Sequence, residues 1–293
     1  MIKTVLSIAV ASAFAAGSAQ AASFTNGGFE SGTYSGWTSG SGCWSQSGYN
    51  SFNGQGASYS CAPTGTSYEQ TTTALNQASN LPLATSTFFS GGAGYNAAAI
   101  TGTTIVSTLG LDAITGQALT TATHGAQYGN YAARLNDSVN NFAVSVIKQS
   151  VTNYDGTSIN FSWWAVLESS HGLGDSDNFS LTVTNDTTNS TVYSTAISSA
   201  SAPGLFTNYG GWYSSGWQDI SLAVTQGNSY TITLLAADCP YGGHAGYVYL
   251  DGFGTVSGGG GDDGGGTVPE PGSLALLGLG LAGLAAARRK KST

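Results

Sequence analysis

Phe179-Ser-Leu-Thr-Val183, Asn185-Asp-Thr-Thr-Asn189 and Thr191-Val-Tyr193 follow one another as strand, turn and strand. The two flanking segments pair naturally across the polar turn, which is the signal of a β-hairpin. Upstream, Ser158 to Leu167 is a stronger strand carrying Trp163 and Trp164, and Phe142 to Val151 alternates again. Tyr131-Ala-Ala-Arg-Leu135 is entered by the turn Gly129-Asn130, and Thr103 to Leu109 holds Ile105 and Val106. Downstream of the hairpin, a Gly/Pro loop at Pro203 to Gly211 precedes Trp217 to Val224, the turn Gln226-Gly-Asn228, Tyr230 to Ala236, and Tyr247 to Phe253. About nine strands with turns between them and almost no helical period predict an all-β jelly-roll β-sandwich over residues 22–256.

Two stretches depart from this rhythm. Residues 67–99 are rich in Thr, Ala, Ser and Asn, with one weak apolar patch at Leu81 to Phe89, and read as an inserted, partly ordered segment. Trp44 to Gly65 reads as a loop. Cys43 and Cys61 flank its Asn/Gly/Ser-rich sequence and form the preferred disulfide, although three cysteines allow three pairings. Cys239 is then left over. Zinc is disfavoured, because neither Cys-x-x-Cys nor His-x-x-x-His occurs.

The two ends read as addresses. Lys3, the apolar run Val5 to Ala16 and Ala19-Gln-Ala21 form the three parts of a signal peptide over residues 1–21. At the other end a Gly-rich acidic linker, 257–267, leads into an apolar run at 274–287. That run is shorter than the roughly 20 residues of a comfortable bilayer span. The cations Arg288, Arg289, Lys290 and Lys291 follow it and act as a basic stop that stays cytoplasmic. Without both ends the body keeps Arg134 and Lys148 as its basic residues, in a chain with fifteen carboxylates and a net charge of −8. Nucleic acid is excluded as a partner, since its binding rests on Lys and Arg. Disorder is excluded by 11% aromatic residues, beside only 8% charged ones.

Residues 268–293, with Pro269-Glu270-Pro271, the short Gly/Leu/Ala helix and the basic terminus, resemble the PEP-CTERM sorting signal. The resemblance implies recognition by an exosortase, a transient inner-membrane intermediate, and delivery to the surface or extracellular matrix of a Gram-negative cell. Plain membrane anchoring is the alternative. The body resembles the galactose-binding-like jelly roll of carbohydrate-binding modules. The resemblance is carried by Asn26-Gly-Gly-Phe-Glu30, Gly36-Trp37, Trp217-x-x-Ile-Ser-Leu, Gly227-x-x-Tyr230 and Gly246-Tyr-Val-Tyr-Leu-Asp251-Gly-Phe253. Gly129-x-Tyr-Ala-Ala-Arg-Leu135, Ala165-Val-Leu-Glu168, His171 and Asp238-Cys-x-x-Gly-Gly-His244 are similar to modules of large bacterial surface proteins.

That likeness implies a structural Ca²⁺ on Glu30 and Asp251, where the first and last strands meet. The alternative is that Glu30 caps a turn and Asp251 ends a strand. A second constellation is Glu168, His171, Asp175, Asp177 and His244, with His171 in a Gly-rich loop after a strand and His244 in a Gly-Gly-His loop before one, so that both could reach one rim of the sandwich. An imidazole there could meet sugar hydroxyls or a metal, or could simply be a turn residue. Tyr34, Tyr49, Tyr59, Tyr209, Trp212 and Tyr213 sit in Gly/Ser loops and either offer flat faces to sugars or pack the loops down. No catalytic spacing stands out. No carboxylate pair is singled out for glycoside cleavage, and neither Gly-x-Ser-x-Gly nor His-Glu-x-x-His occurs. The expectation is a non-enzymatic exported protein that associates with exopolysaccharide in biofilm or floc. The alternatives are an adhesive surface protein that binds other proteins, and a secreted hydrolase.

Overall fold

The computed structural model describes residues 23–45, 68–69, 85–92, 94–120, 129–169, 176–239 and 244–254. The signal peptide, the linker, the PEP-CTERM segment, Cys61, His171 and Asp175 lie outside these residues. In chain order the strands are β1 (Thr38–Ser45), β2 (Tyr68–Glu69), β3 (Thr104–Ser107), β4 (Tyr131–Leu135), β5 (Ala143–Val151), β6 (Ser158–Glu168) and β7 (Asn178–Asn185). They continue with β8 (Ser190–Ser198), β9 (Thr207–Tyr209), β10 (Trp212–Ser214), β11 (Gln218–Ala223), β12 (Tyr230–Ala237) and β13 (Gly246–Asp251).

These strands build a jelly-roll β-sandwich. One sheet runs β2-β1-β5-β12-β7-β8, and the other runs β3-β4-β13-β6-β10-β9. The second half of β6 pairs with β10 and its first half with β11. Every pairing is antiparallel except β1 with β2. The quoted hairpin is β7–β8, with its turn as expected and a bulge between Val183 and Thr184.

Alternation along each strand sorts the side chains into three apolar layers. Between the sheets lie Ile159, Phe161, Trp163, Ala165 and Leu167 of β6, Phe179, Leu181 and Val183 of β7, Tyr230, Ile232 and Leu234 of β12, and Val248 and Leu250 of β13. Trp164 and Val166 point the other way and join Tyr247, Tyr249 and Leu119 on the outer face of the second sheet. On the outer face of the first sheet Phe88 and Phe89 cover Val144, Val146 and Leu235. Trp163 and Trp164, adjacent in sequence, therefore serve different layers.

β1 extends through residues read as a loop from Trp44 onward, and its sequence Thr-Ser-Gly-Ser-Gly-Cys-Trp-Ser has poor strand propensity. Its glycines explain the choice. A Cβ on Gly40 would overlap the carbonyl oxygen of Phe88, and one on Gly42 would overlap that of Gly94. One face of the strand carries no side chain at Gly40 and Gly42, so that Phe88 and Gly94 can lie directly on it. Within the 67–99 segment, residues 85–88 thus form a 3-10 turn whose Phe88 is buried, and residues 68–69 add β2 to the sheet edge. The Pro203–Gly211 loop likewise contains β9, which pairs with β10 as a short edge hairpin.

The chain ends of the body close on each other. Phe253 N donates to Gly27 O at 3.0 Å. Phe24 packs edge-on against Phe253, with ring centroids 4.5 Å apart. Gly27 leaves no room for a side chain there, because a Cβ would overlap Phe253 O.

Candidate functional site

Three places on the sandwich gather polar or aromatic chemistry. The first is the outer face of the second sheet. Trp164, Tyr247 and Tyr249 stand side by side on β6 and β13, with Trp217 5.6 Å from Trp164 and Trp212 6.2 Å from Tyr247. A strap, residues 108–120, crosses this face and is tied to it by polar contacts. Tyr247 and Tyr249 hydroxyls donate to Asp112 Oδ2 at 2.7 and 2.8 Å. Asp112 Oδ1 accepts from Ile114 N, Thr115 N and Thr115 Oγ1, so this buried carboxylate also folds its own turn. Trp217 Nε1 donates to Leu119 O at 2.8 Å. Burial, and then the charge of Asp112, push both tyrosine hydroxyls far above their ordinary range.

The strap leaves one end of this aromatic row half-exposed. Trp212 stands opposite Glu168 on β6 and opposite Tyr209 on β9, so the three share the outer face. Glu168 Oε2 accepts from Ala245 N at 2.9 Å, which holds the carboxylate at this rim. Tyr34, by contrast, is engaged elsewhere. Its hydroxyl donates to Thr104 O and Arg134 O, and burial raises its pKa, so it packs a loop onto the sandwich.

The second place is the end of the core between the sheets, beside Glu168. Asp177 continues the inward row of β7 and Asp238 that of β12, and both are fully buried. Asp238 Oδ2 accepts from Ala143 N and Asn141 N, and Asp238 Oδ1 from Asn136 Nδ2. Asp177 Oδ2 accepts from Glu168 N at 2.8 Å. Desolvation pushes Asp238 up to about 8 despite those donors. Asp177 is held well above the carboxylate range, first by burial and also by the charges of Asp238 and Glu168. His244 is buried at the same end, its carbonyl accepting from Cys239 N. Of the residues expected at a ligand rim, Glu168, Asp177 and His244 lie at this end, but Asp177 and His244 are buried rather than open to a ligand, and Asp238 and Asn136 lie beside them. The Asp238-Cys-x-x-Gly-Gly-His244 motif already contained Asp238. Asn136 carried no motif, and its left-handed backbone, at φ 68°, was the available signal.

The third place is the meeting of the body's ends. Glu30 accepts from Asn130 N at 2.9 Å and from Tyr131 N at 2.8 Å, while Asp251 is buried and accepts from Gly252 N at 2.6 Å. Gly129 makes the approach possible, since a Cβ there would overlap the Glu30 carboxylate. Burial, and then the charge of Glu30, hold Asp251 well above the usual carboxylate range. The pair fits a hard cation in its chemistry. Both ligand groups are oxygen donors, and a positive ion between them would offset the repulsion that Asp251 feels. Among the described residues no three His, Cys, Asp or Glu side chains converge as metal ligands, so backbone oxygens or water would complete any such shell.

Residues 267–290 match the PEP-CTERM protein-sorting motif. The motif marks a chain for export and exosortase processing through a membrane-anchored intermediate. Among the described residues, no helix is long and apolar enough to cross a membrane. No curated protein matches the chain. Among solved structures, TmCBM61 in complex with β-1,4-galactotriose is similar at 12% identity and TM-score 0.35, with 80% of this chain and 97% of that one covered. A carbohydrate-binding module from the β-sandwich superfamily, of promiscuous specificity, is similar at 11% identity and TM-score 0.31, over 80% of this chain and 62% of the other. The enzymatically active domain of tailspike protein 4 of bacteriophage CBA120 is similar at 10% identity and TM-score 0.32, over 78% of this chain and 20% of the other. This chain spans about three fifths of the second of these and about a fifth of the third.

Proposed function

We propose that this is a non-catalytic, exosortase-sorted surface protein of a Gram-negative cell whose sandwich binds exopolysaccharide in the extracellular matrix. The observation that carries the glycan reading is the half-exposed group of Tyr209, Trp212 and Glu168 at the uncovered end of the aromatic face. Aromatic faces take up the flat apolar faces of sugars, and a carboxylate beside them accepts from hydroxyls. The acidic body favours a neutral polymer over an anionic one, because like charges repel. Affinity electrophoresis in gels containing the purified matrix polysaccharide tests this. The protein is retarded, and Trp212→Ala loses most of the retardation while remaining folded by circular dichroism. Migration that the polysaccharide leaves unchanged points to protein adhesion, and release of reducing ends points to hydrolysis.

We infer a Ca²⁺ at Glu30 and Asp251 as a structural clasp, favoured by two mutually repelling carboxylates where the body's ends meet. An ion that binds only the folded state raises the melting temperature with its concentration. The pair Glu30→Gln and Asp251→Asn keeps shape and removes charge, so it is expected to shrink the calcium-dependent shift. An equal shift in both proteins removes the ion from this site.

A further inference from the structure

At the end of the core between the sheets, two buried oxygens face a shortage of protons. Among the described residues, Asp177 Oδ1 and Asn136 Oδ1 have no hydrogen-bond partner, and both residues are fully buried. Asn136 is fixed in this orientation, since its Nδ2 donates to Asp238 Oδ1 at 2.8 Å and to Gly246 O at 3.0 Å. Gly246 lies in the inward row of β13, where a Cβ would press on both Asp177 and Leu167, so its missing side chain is what admits Asp177. Asp177 and Asn136 therefore both adjoin Gly246, each with one oxygen left over, and Asp238 is joined to them through Asn136.

We propose that this end of the core is a second hard-cation site, of the calcium class, held by Asp177 Oδ1 and Asn136 Oδ1 beside the carboxylate of Asp238. Two buried acceptors each cost the full desolvation of an unmade bond unless something positive sits with them. The body's own long cations are turned to the outer faces. Arg134 lies over the Tyr247 ring at 5.7 Å and donates to Gly102 O, and Lys148 lies over the Phe89 ring at 4.5 Å. A divalent ion would neutralise Asp177 and Asp238 together while accepting the Asn136 oxygen as a ligand. A donor set of carboxylate and amide oxygens suits Ca²⁺ rather than zinc or copper, which prefer nitrogen and sulfur. This site is separate from the clasp at Glu30 and Asp251 and does not depend on the glycan reading.

The test counts bound calcium by equilibrium dialysis after chelator treatment. In the Glu30→Gln, Asp251→Asn protein, about one Ca²⁺ per chain is expected to remain, and adding Asp177→Asn is expected to abolish it. Asparagine keeps an oxygen to accept from Glu168 N, so the fold is retained. Should the doubly substituted protein fail to fold, the count is made on the unsubstituted protein against Asp177→Asn alone, with a drop of one ion expected. Calcium binding unchanged by Asp177→Asn overturns the site. So does a folded double variant that binds no calcium, which would leave a proton or a buried water between the two oxygens.

Discussion

Asp112 shows how much one side chain can hold. Its two oxygens accept from both outer-face tyrosines and from its own turn, so removing it leaves several buried donors without acceptors. Asp112→Ala is expected to cost roughly 2–5 kcal/mol, at 1–3 kcal/mol for each orphaned buried group, read as a lower urea midpoint. The tyrosines make a second prediction. Burial, and then the charges of Asp155 and Tyr230, push Tyr154 up to about 12, and Tyr34, Tyr247 and Tyr249 are raised as well. A group with a raised folded pKa contributes stability that is complete below its unfolded pKa, about 10 for tyrosine. That stability is lost as pH climbs through the folded value. The protein should therefore hold its stability to about pH 10 and lose it toward pH 12, with tyrosinate absorbance rising steeply as it unfolds. Smooth titration of every tyrosine near pH 10 would falsify this.

The elements differ in how openly the sequence announces them. β5, β6, β7, β12 and β13 are buried along almost their whole length, so their runs of apolar and aromatic residues stand out in the sequence, and β4 was bounded correctly. β1 was hidden because its glycines answer a steric demand from Phe88 and Gly94, which are distant in sequence and unseen by any local pattern. β9 and β10 were hidden because each has three residues, too few for a period to show. The same limit applied to the sites. Glu30 and Asp251 were singled out through resemblance alone, while Asn136 gains its place only once β4, β12 and β13 are assembled. The β1 interpretation can be tested. Gly40→Ala should cost about 1–3 kcal/mol, the usual range for overpacking, and should make residues 85–92 the first site of proteolytic cleavage. Cleavage and stability like those of the unsubstituted protein would mean that the segment is not pressed onto the strand.

At the scale of the molecule, the sandwich and the sorting motif make separate demands. If both terminal signals operate, the exported form begins near Ala22 and ends close to residues 269–273, and intact mass reads this directly. Replacing Arg288, Arg289, Lys290 and Lys291 with neutral residues is expected to release the intermediate early, because a basic flank holds a short apolar run in place. A form that keeps its full C-terminus, or sorting unaffected by the replacement, counts against this processing. Strand order adds something that neither signal states. β12 lies between β5 and β7, and β13 lies between β4 and β6, so the last two strands fill the middle of each sheet. A chain emerging from its N-terminus has a gap in both sheets until residues 230–251 arrive. It must therefore travel as an open thread with bare strand edges, which are prone to mispairing. The C-terminal strands are the keystones, and neither sheet can close before they are available.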